Sequence, residues 1–280
     1  MEIWSVGTAL RNPLRITGFL GVLNNFLGAN WDNQCQLDYY IELIRVGEVS
    51  PRNISANQLM VIQTQARSIM LSNYEDAPMR GRVLGSLFEK LGLVDLNRGV
   101  LALTNRGNQL LNGNITLSES LIEGLSEWQY IHAQSQWSSI VNGLPISRRF
   151  SPFVATLYLI GRVNILSGSN TGISYREFNY FAKTLDNYSL VDIFANCIIN
   201  IRANPNNAAT FITYVNNNFT NIKNANDYID NDIKYFVQSE LIQSNYIGNG
   251  LNCNFANLNY VHLNEIINIV HTYIPNALQI

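Results

Sequence analysis

The sequence is poor in the features that would assign a chemistry. Its three cysteines, Cys35, Cys197 and Cys253, are odd in number, far apart and without metal-ligand spacing, which excludes a disulfide framework and predicts buried thiols in a reducing compartment. Charge of one sign is also lacking: 18 Lys and Arg stand against 20 Asp and Glu, so a global attraction to nucleic acid is excluded and any such site must be a local patch. The N-terminal MEIWSVGT has no charged start followed by an apolar core, as a secretory signal would. The longest apolar stretch, Phe153 to Leu166, is interrupted by Gly161, Arg162 and Asn164 and is too short to span a bilayer. These absences predict a soluble, cytoplasmic protein with no membrane partner.

Catalytic constellations are missing as well. A metal-dependent nuclease needs an acidic residue ahead of a strand bearing Glu or Asp, one further residue and then Lys, so that carboxylates hold magnesium and lysine assists the attacking water. No strand-prone segment has that order: Glu89-Lys90 falls on a helix, and Glu177 and Lys183 lie six residues apart on another. His132, His262 and His271 have neither a nucleophile context nor the spacing of a zinc pair. Gly81, Gly85 and Gly92 sit within or at the end of a helix rather than in a phosphate-binding loop. The expectation is no catalytic residue, no metal site and no cofactor in this chain.

What the chain does contain is helical periodicity, over a length of 280 residues that can bury a real core. From Asn73 to Gly113, Val83, Leu84, Leu87, Phe88 and Leu91 recur at spacings of three and four, which predicts one buried stripe on a helix starting near Pro78. Gly92 ends it, and Leu93 to Leu96 and Val100 to Leu103 form two β-prone runs joined at Asn97-Arg98-Gly99, a hairpin turn. Thr104 then caps a short helix that stops at Asn112-Gly113. Earlier helices are expected from Pro13 to about Leu27, from Asp32 to Val46 and from Ser55 to about Met70. Three helices followed by a hairpin is winged helix-turn-helix order. On that reading the exposed face of the Pro78 helix carries Met79, Arg80, Arg82, Ser86 and Lys90, residue types that contact phosphate or guanine edges.

The second half repeats this order. Thr116 to Tyr130 reads as a helix capped at Ser118, and residues 132 to 149 as a connecting segment. A long apolar helix runs from Ser151-Pro152 to Ser167-Gly168, and further helices are expected at Ser174 to Leu185, Ser189 to Ala203 and Asn207 to Phe219. A helix with Ile229, Ile233, Phe236, Val237 and Leu241 buried precedes a second wing, Ser244 to Ile247 paired with Cys253 to Tyr260, and Leu263 to Tyr273 closes the chain. The corresponding recognition face presents Asn226, Asp227, Asp230, Asn231 and Lys234. Asparagine reads adenine and aspartate accepts from cytosine, so this face suits base reading better than a tight grip on phosphate. Asparagine is over-used throughout this half, which base bias in the genome explains most simply. Residues 1–12 show no helical period, and two readings stand for them: a basic arm that enters a groove, or a strand packed by Trp4 and Ile3.

Several short motifs, in order along nearly the whole chain, resemble a known family. They are Trp4 with Arg11-Asn12-Pro13, Ala77-Pro78-Met79, Leu103-Thr104-Asn105-Arg106-Gly107, Trp128-Gln129-Tyr130, Ile173-Ser174 with Glu177-Phe178, and Asn226-Asp227-Tyr228 with Lys234-Tyr235. The pattern is similar to the recognition region of type IIS restriction endonucleases, the AlwI-like enzymes and related strand-nicking endonucleases. One departure is Glu240, where many relatives carry glycine after the second recognition helix.

The resemblance implies a mainly α fold with small β wings: an N-terminal arm (1–13), a first winged-helix module (14–113), a linker segment (114–150) and a second winged-helix module (151–280). It implies sequence-specific binding of double-stranded DNA at a short asymmetric target, by a monomer in a prokaryotic cytoplasm. The magnesium-dependent nuclease domain would be a separate part absent from this chain. The expected DNA-binding residues are Arg11, Asn12 and Arg15 of the arm and its helix; Met79, Arg80, Arg82, Ser86 and the wing residue Arg98; and Lys223, Asn226, Asp227, Asn231 and Lys234. A winged helix that regulates transcription or binds protein is the alternative.

Overall fold

A computed structural model describes residues 3–7, 9–50, 55–96, 99–130, 150–218, 229–246 and 254–280. The chain divides into two compact units, a smaller one of Ala9–Leu117 and a larger one of Met1–Thr8 with Ser118–Ile280. Each is mainly helical and carries one small antiparallel sheet.

In the smaller unit Asn12 accepts from the Leu14 N–H at 3.1 Å and Pro13 opens a 3-10 turn, Pro13–Arg15, that leads into α1 (Ile16–Leu23). Asp32 caps α2 (Asn33–Arg45) by accepting from the Cys35 N–H at 2.9 Å. The single helix expected from Ser55 to Met70 is two: α3 (Ala56–Thr64), opened by a capping box of Ser55 and Gln58, and α4 (Ala66–Asn73). At the break the Thr64 hydroxyl donates to the Met60 carbonyl at 2.8 Å, a back-bond that bends helices. Leu37, Ile41 and Ile44 of α2 bury against Ala66 and Met70 of α4 and Ala77.

Helix α5 (Met79–Lys90) lies against α2 through its glycines. A Cβ at Gly81 would collide with the Gln36 carbonyl, and one at Gly85 with the Trp31 indole. This close approach turns α5 so that Gly81, Leu84, Gly85, Leu87 and Phe88 face inward. Two expectations are corrected by it: Val83 is 41% exposed, off the buried stripe, and Lys90 is 5% exposed instead of lying on the open face.

After Gly92, at φ 65°, β1 (Val94–Asp95) pairs with β2 (Ala102–Leu103) in antiparallel register, Val94 opposite Leu103. Gly99 takes φ 71°, as the hairpin turn requires; Asn97 and Arg98 lie outside the described residues. Thr104 accepts from the Gly107 N–H at 3.0 Å and caps α6 (Asn105–Leu111). Residues 28–31 run alongside the hairpin, with the Gly28 N–H donating to Leu101 O at 2.9 Å and the Trp31 N–H to Gly99 O at 2.7 Å. No apolar alternation in Gly28-Ala29-Asn30-Trp31 announces this extra edge.

The larger unit is built on α8 (Pro152–Ser167), capped by Ser151 and buried on every side from Pro152 to Asn164. Its Arg162 is tolerated there because Nε donates to Asp192 Oδ1 at 2.6 Å and Nη1 to Gln279 O at 2.8 Å. Around it lie α7 (Leu117–Glu127), α9 (Tyr175–Tyr180), α10 (Val191–Ala203), α11 (Ala208–Asn218), α12 (Ile229–Gln238) and α13 (Leu263–Tyr273). Ser118 does not cap α7; its hydroxyl donates to the Ser239 carbonyl at 2.9 Å. The expected second hairpin is present as β4 (Ile242–Tyr246) and β5 (Asn254–Leu258), with Ile242 opposite Leu258. A third strand, β3 (Ile173–Ser174), joins them in the order β3-β5-β4. Two residues are too few to show strand alternation, so the sequence reads them as a helix start.

Glu240 has φ 65° just after α12. This is the left-handed position where glycine normally ends a helix, so the departure from the family pattern falls on a strained residue.

The two readings of the N-terminal segment are separated by Trp4, which is 1% exposed. Its ring stacks on Phe236 at 5.9 Å and meets Trp128 and Phe178 edge-on, and its Nε1–H donates to the Ala182 carbonyl at 2.8 Å. Beside it Lys183 and Asp232 form a buried ion pair. Asp232 Oδ1 also accepts from the Val6 N–H at 2.7 Å and the Ser5 hydroxyl at 3.0 Å. Residues 3–7 are therefore packed into the larger unit.

Candidate nucleic-acid interface

The near-neutral chain is not uniform. The smaller unit carries ten Lys and Arg against eight Asp and Glu, whereas the larger carries eight against twelve, so positive charge is concentrated in the unit that holds α5. At the start of α5, Met79 is 43% exposed. Arg80 is exposed with its guanidinium 5.0 Å from the centre of the Tyr74 ring. Arg82 is exposed over 47% of its side chain while being held from two sides. Its Nη2 donates to Asp76 Oδ1 at 3.0 Å and Oδ2 at 3.2 Å, and its Nε–H donates to Gln36 Oε1 at 3.3 Å. Ser86, further along the helix, is half-buried.

The arm residues Arg11, Asn12 and Arg15 are exposed at the start of the first helical segment. Asn12 is occupied as a cap, and Arg15 lies 3.6 Å from Glu48 with its guanidinium over the Phe19 ring at 4.8 Å. Burial holds the Tyr40 phenol above its usual range, while Arg80 and Arg15 both act on it in the opposite sense. One phenol thus feels both guanidiniums, a relation that sequence spacing does not show.

The larger unit treats its expected readers differently. Lys223, Asn226 and Asp227, like Arg98, lie outside the described residues. Lys234 is exposed on α12. Asn231 is corrected: it is 2% exposed, and its amide donates to the Gly7 carbonyl. The helix period places it correctly on α12, but the N-terminal segment runs across that face. Two residues were missed altogether as part of a site, Gln36 and Asp76. Gln36 is buried, with Nε2 donating to the Trp31 carbonyl at 3.0 Å, and only the packing of α5 on α2 brings it to Arg82. Asp76 reads from sequence as a helix start, and its Oδ1 does accept from the Met79 N–H at 3.2 Å.

Among the described residues no three His, Cys, Asp or Glu side chains come together as a metal site. No helix among them is long and apolar enough to cross a membrane.

The family model of the AlwI restriction endonuclease matches residues 89–279, more than half of the chain. The chain belongs to the AlwI restriction endonuclease family. The matched span takes in the end of α5, the first hairpin and almost all of the larger unit, and leaves Arg11, Arg15, Arg80 and Arg82 ahead of it. No curated protein matches the chain significantly. Among solved structures, the chain is similar in fold to the BpuJ1 endonuclease binding domain, crystallised in complex with pyrene- and phenanthrene-modified DNA. That likeness has a TM-score of 0.50 at 11% identity and covers 97% of this chain and 84% of the other.

Proposed function

We propose that this chain is the target-recognition region of a type IIS restriction endonuclease, binding double-stranded DNA sequence-specifically through two winged-helix modules. The observation that carries the reading is the exposed start of α5, where Met79, Arg80 and Arg82 stand together on a helix packed across α2 and followed by the β1–β2 hairpin. A helix so placed, with arginines at its N-terminal end, is the part of a helix-turn-helix that enters a major groove. Family membership and the fold shared with a DNA-binding domain support it. In this reading residues 14–113 and 151–280 are the modules, and the 114–150 segment links them. Arg80 and Arg82 meet guanine edges or phosphate; Arg11, Arg15, Arg98 and Lys223 hold phosphate; Asn226 and Asp227 read bases.

The target is short and asymmetric, so one copy of the chain suffices, and it acts in the cytoplasm of a prokaryote. Cutting would fall to a magnesium-dependent nuclease domain outside this chain. The test is selection of bound duplexes from a randomised pool by the whole chain. Enrichment of one short sequence supports the reading. Binding without enrichment, or no binding to the pool at all, returns the alternative of a protein-facing winged helix, as would binding that does not weaken as salt rises.

A further inference from the structure

Arg82 has half of its guanidinium already committed. Nε–H goes to Gln36 Oε1 and Nη2 to the Asp76 carboxylate, so the Nε/Nη2 edge is turned toward protein. Among the described residues Nη1 donates to nothing, which leaves its N–H groups, at the end of the guanidinium away from the Gln36 contact, for a partner. Gln36 cannot flip to release its acceptor, because its Nε2 donates to the Trp31 carbonyl at 3.0 Å. Gln36 is itself only 6% exposed and is pinned beneath α5, where Gly81 packs on its carbonyl. The guanidinium is thus oriented by a buried amide and a carboxylate before any partner arrives.

We propose, resting on the DNA-recognition reading above, that Arg82 reads a single guanine end-on and that Asp76 and Gln36 are its positioning residues. The local charge decides between base and phosphate. The Asp76 carboxylate cancels most of the long-range attraction of Arg82 for a phosphate and would repel one that approached. It leaves intact the short, directional hydrogen bonds that match the two neutral acceptors of a guanine edge. Among the described residues no carboxylate pairs with Arg80, which rests on the Tyr74 ring and so keeps its charge available to phosphate. Discrimination and grip are therefore divided between neighbouring arginines.

The experiment measures binding of the whole chain to its selected duplex and to every single-base-pair variant of it, at several salt concentrations, for wild type, Arg82→Lys, Asp76→Asn, Gln36→Met and the Arg82→Lys/Asp76→Asn pair. Asp76→Asn keeps an oxygen for the Met79 N–H and so retains the cap. Circular dichroism checks each fold, and Asp76→Asn carries the test should Gln36→Met fail to fold. We expect Arg82→Lys and Asp76→Asn each to lose about tenfold discrimination at the same G·C pair. The pair should be no worse than either alone, with the salt slope unchanged from wild type. If Asp76→Asn keeps full discrimination while Arg82→Lys loses it, the positioning role is overturned. If Arg82→Lys weakens all duplexes alike, Arg82 is a phosphate contact and the proposal falls. Failure of the wild type to enrich any duplex overturns the DNA reading itself, an outcome distinguishable because it precedes every variant.

Discussion

Lys183 and Asp232 meet at 2.5 Å inside the larger unit, with side chains 2% and 0% exposed, and the same carboxylate receives the Val6 N–H and the Ser5 hydroxyl. One buried charge pair therefore anchors the N-terminal segment to α12. Removing one partner of such a pair strands the other charge. Asp232→Ala is expected to destabilise the chain by about 3–5 kcal/mol and to free residues 3–7. Urea denaturation reads the first effect and amide exchange of Ser5 and Val6 the second. Unchanged protection of those amides would show that Trp4 holds the segment without help.

Glu240 sits at φ 65°, a conformation that costs a residue with a Cβ roughly 1–2 kcal/mol. Glycine relieves that strain but adds freedom to the unfolded chain, which takes back about 0.4–1 kcal/mol. Glu240→Gly should therefore raise stability by up to about 1.6 kcal/mol. A lower midpoint for the variant would mean that Glu240 makes a compensating contact.

Two helical glycines should answer oppositely to alanine. A Cβ at Gly81 meets the Gln36 carbonyl, so Gly81→Ala must push α5 from α2 and cost about 1–3 kcal/mol. Gly21, in α1, has open space where its Cβ would stand, so Gly21→Ala should stabilise by roughly 0.5–1 kcal/mol. Thermal midpoints decide both signs, and a Gly81→Ala protein as stable as wild type would remove the reason given for this glycine.

Burial, and after it the Asp95 carboxylate, push the Glu89 carboxyl above its usual range, against a backbone hydrogen bond from Leu96 that lowers it. A carboxyl raised on folding binds its proton more tightly in the native state. Its contribution is complete below the unfolded value of about 4.3 and is lost as pH rises through the folded one. Glu89→Gln, neutral throughout, is expected to stabilise near neutral pH and to gain nothing below about pH 4. Denaturation midpoints at both pH values test this, and an equal gain at each would point to a cause other than ionisation.

Arg15 and Arg80, which act on the same Tyr40 phenol, are expected to contact phosphate. Replacing either by alanine should weaken binding to cognate and non-cognate duplexes alike and lower the slope of log K against log salt by about 1. Gel-shift titrations at several salt concentrations measure it. Loss confined to the cognate duplex would make the residue a base reader.

Local order was legible wherever a few neighbouring residues decide it. Asp32, Thr104 and Ser151 cap the helices their positions announce, Gly99 turns the first hairpin, and Leu263–Tyr273 is a helix with the expected ends. Caps and turns are short-range hydrogen bonds, so the information lies within a few residues. The pairing of β4 with β5 was legible too, although its strands begin earlier or later than patterning suggests.

Tertiary structure alone decided the rest, because each remaining feature depends on what a segment packs against. The period that put Asn231 on an α12 face carries no record of residues 5–7 covering it. Nor do the short runs at 28–31 and 173–174 show which strand edge they join. The arginines of α5 were visible from spacing and charge, so the sequence by itself determined the family resemblance, the helical order and the candidate interface. That Arg82 is gripped along one edge by Asp76 and Gln36 was decided by Gly81 and Gly85, which let α5 close on α2 and bring a buried amide to a surface guanidinium.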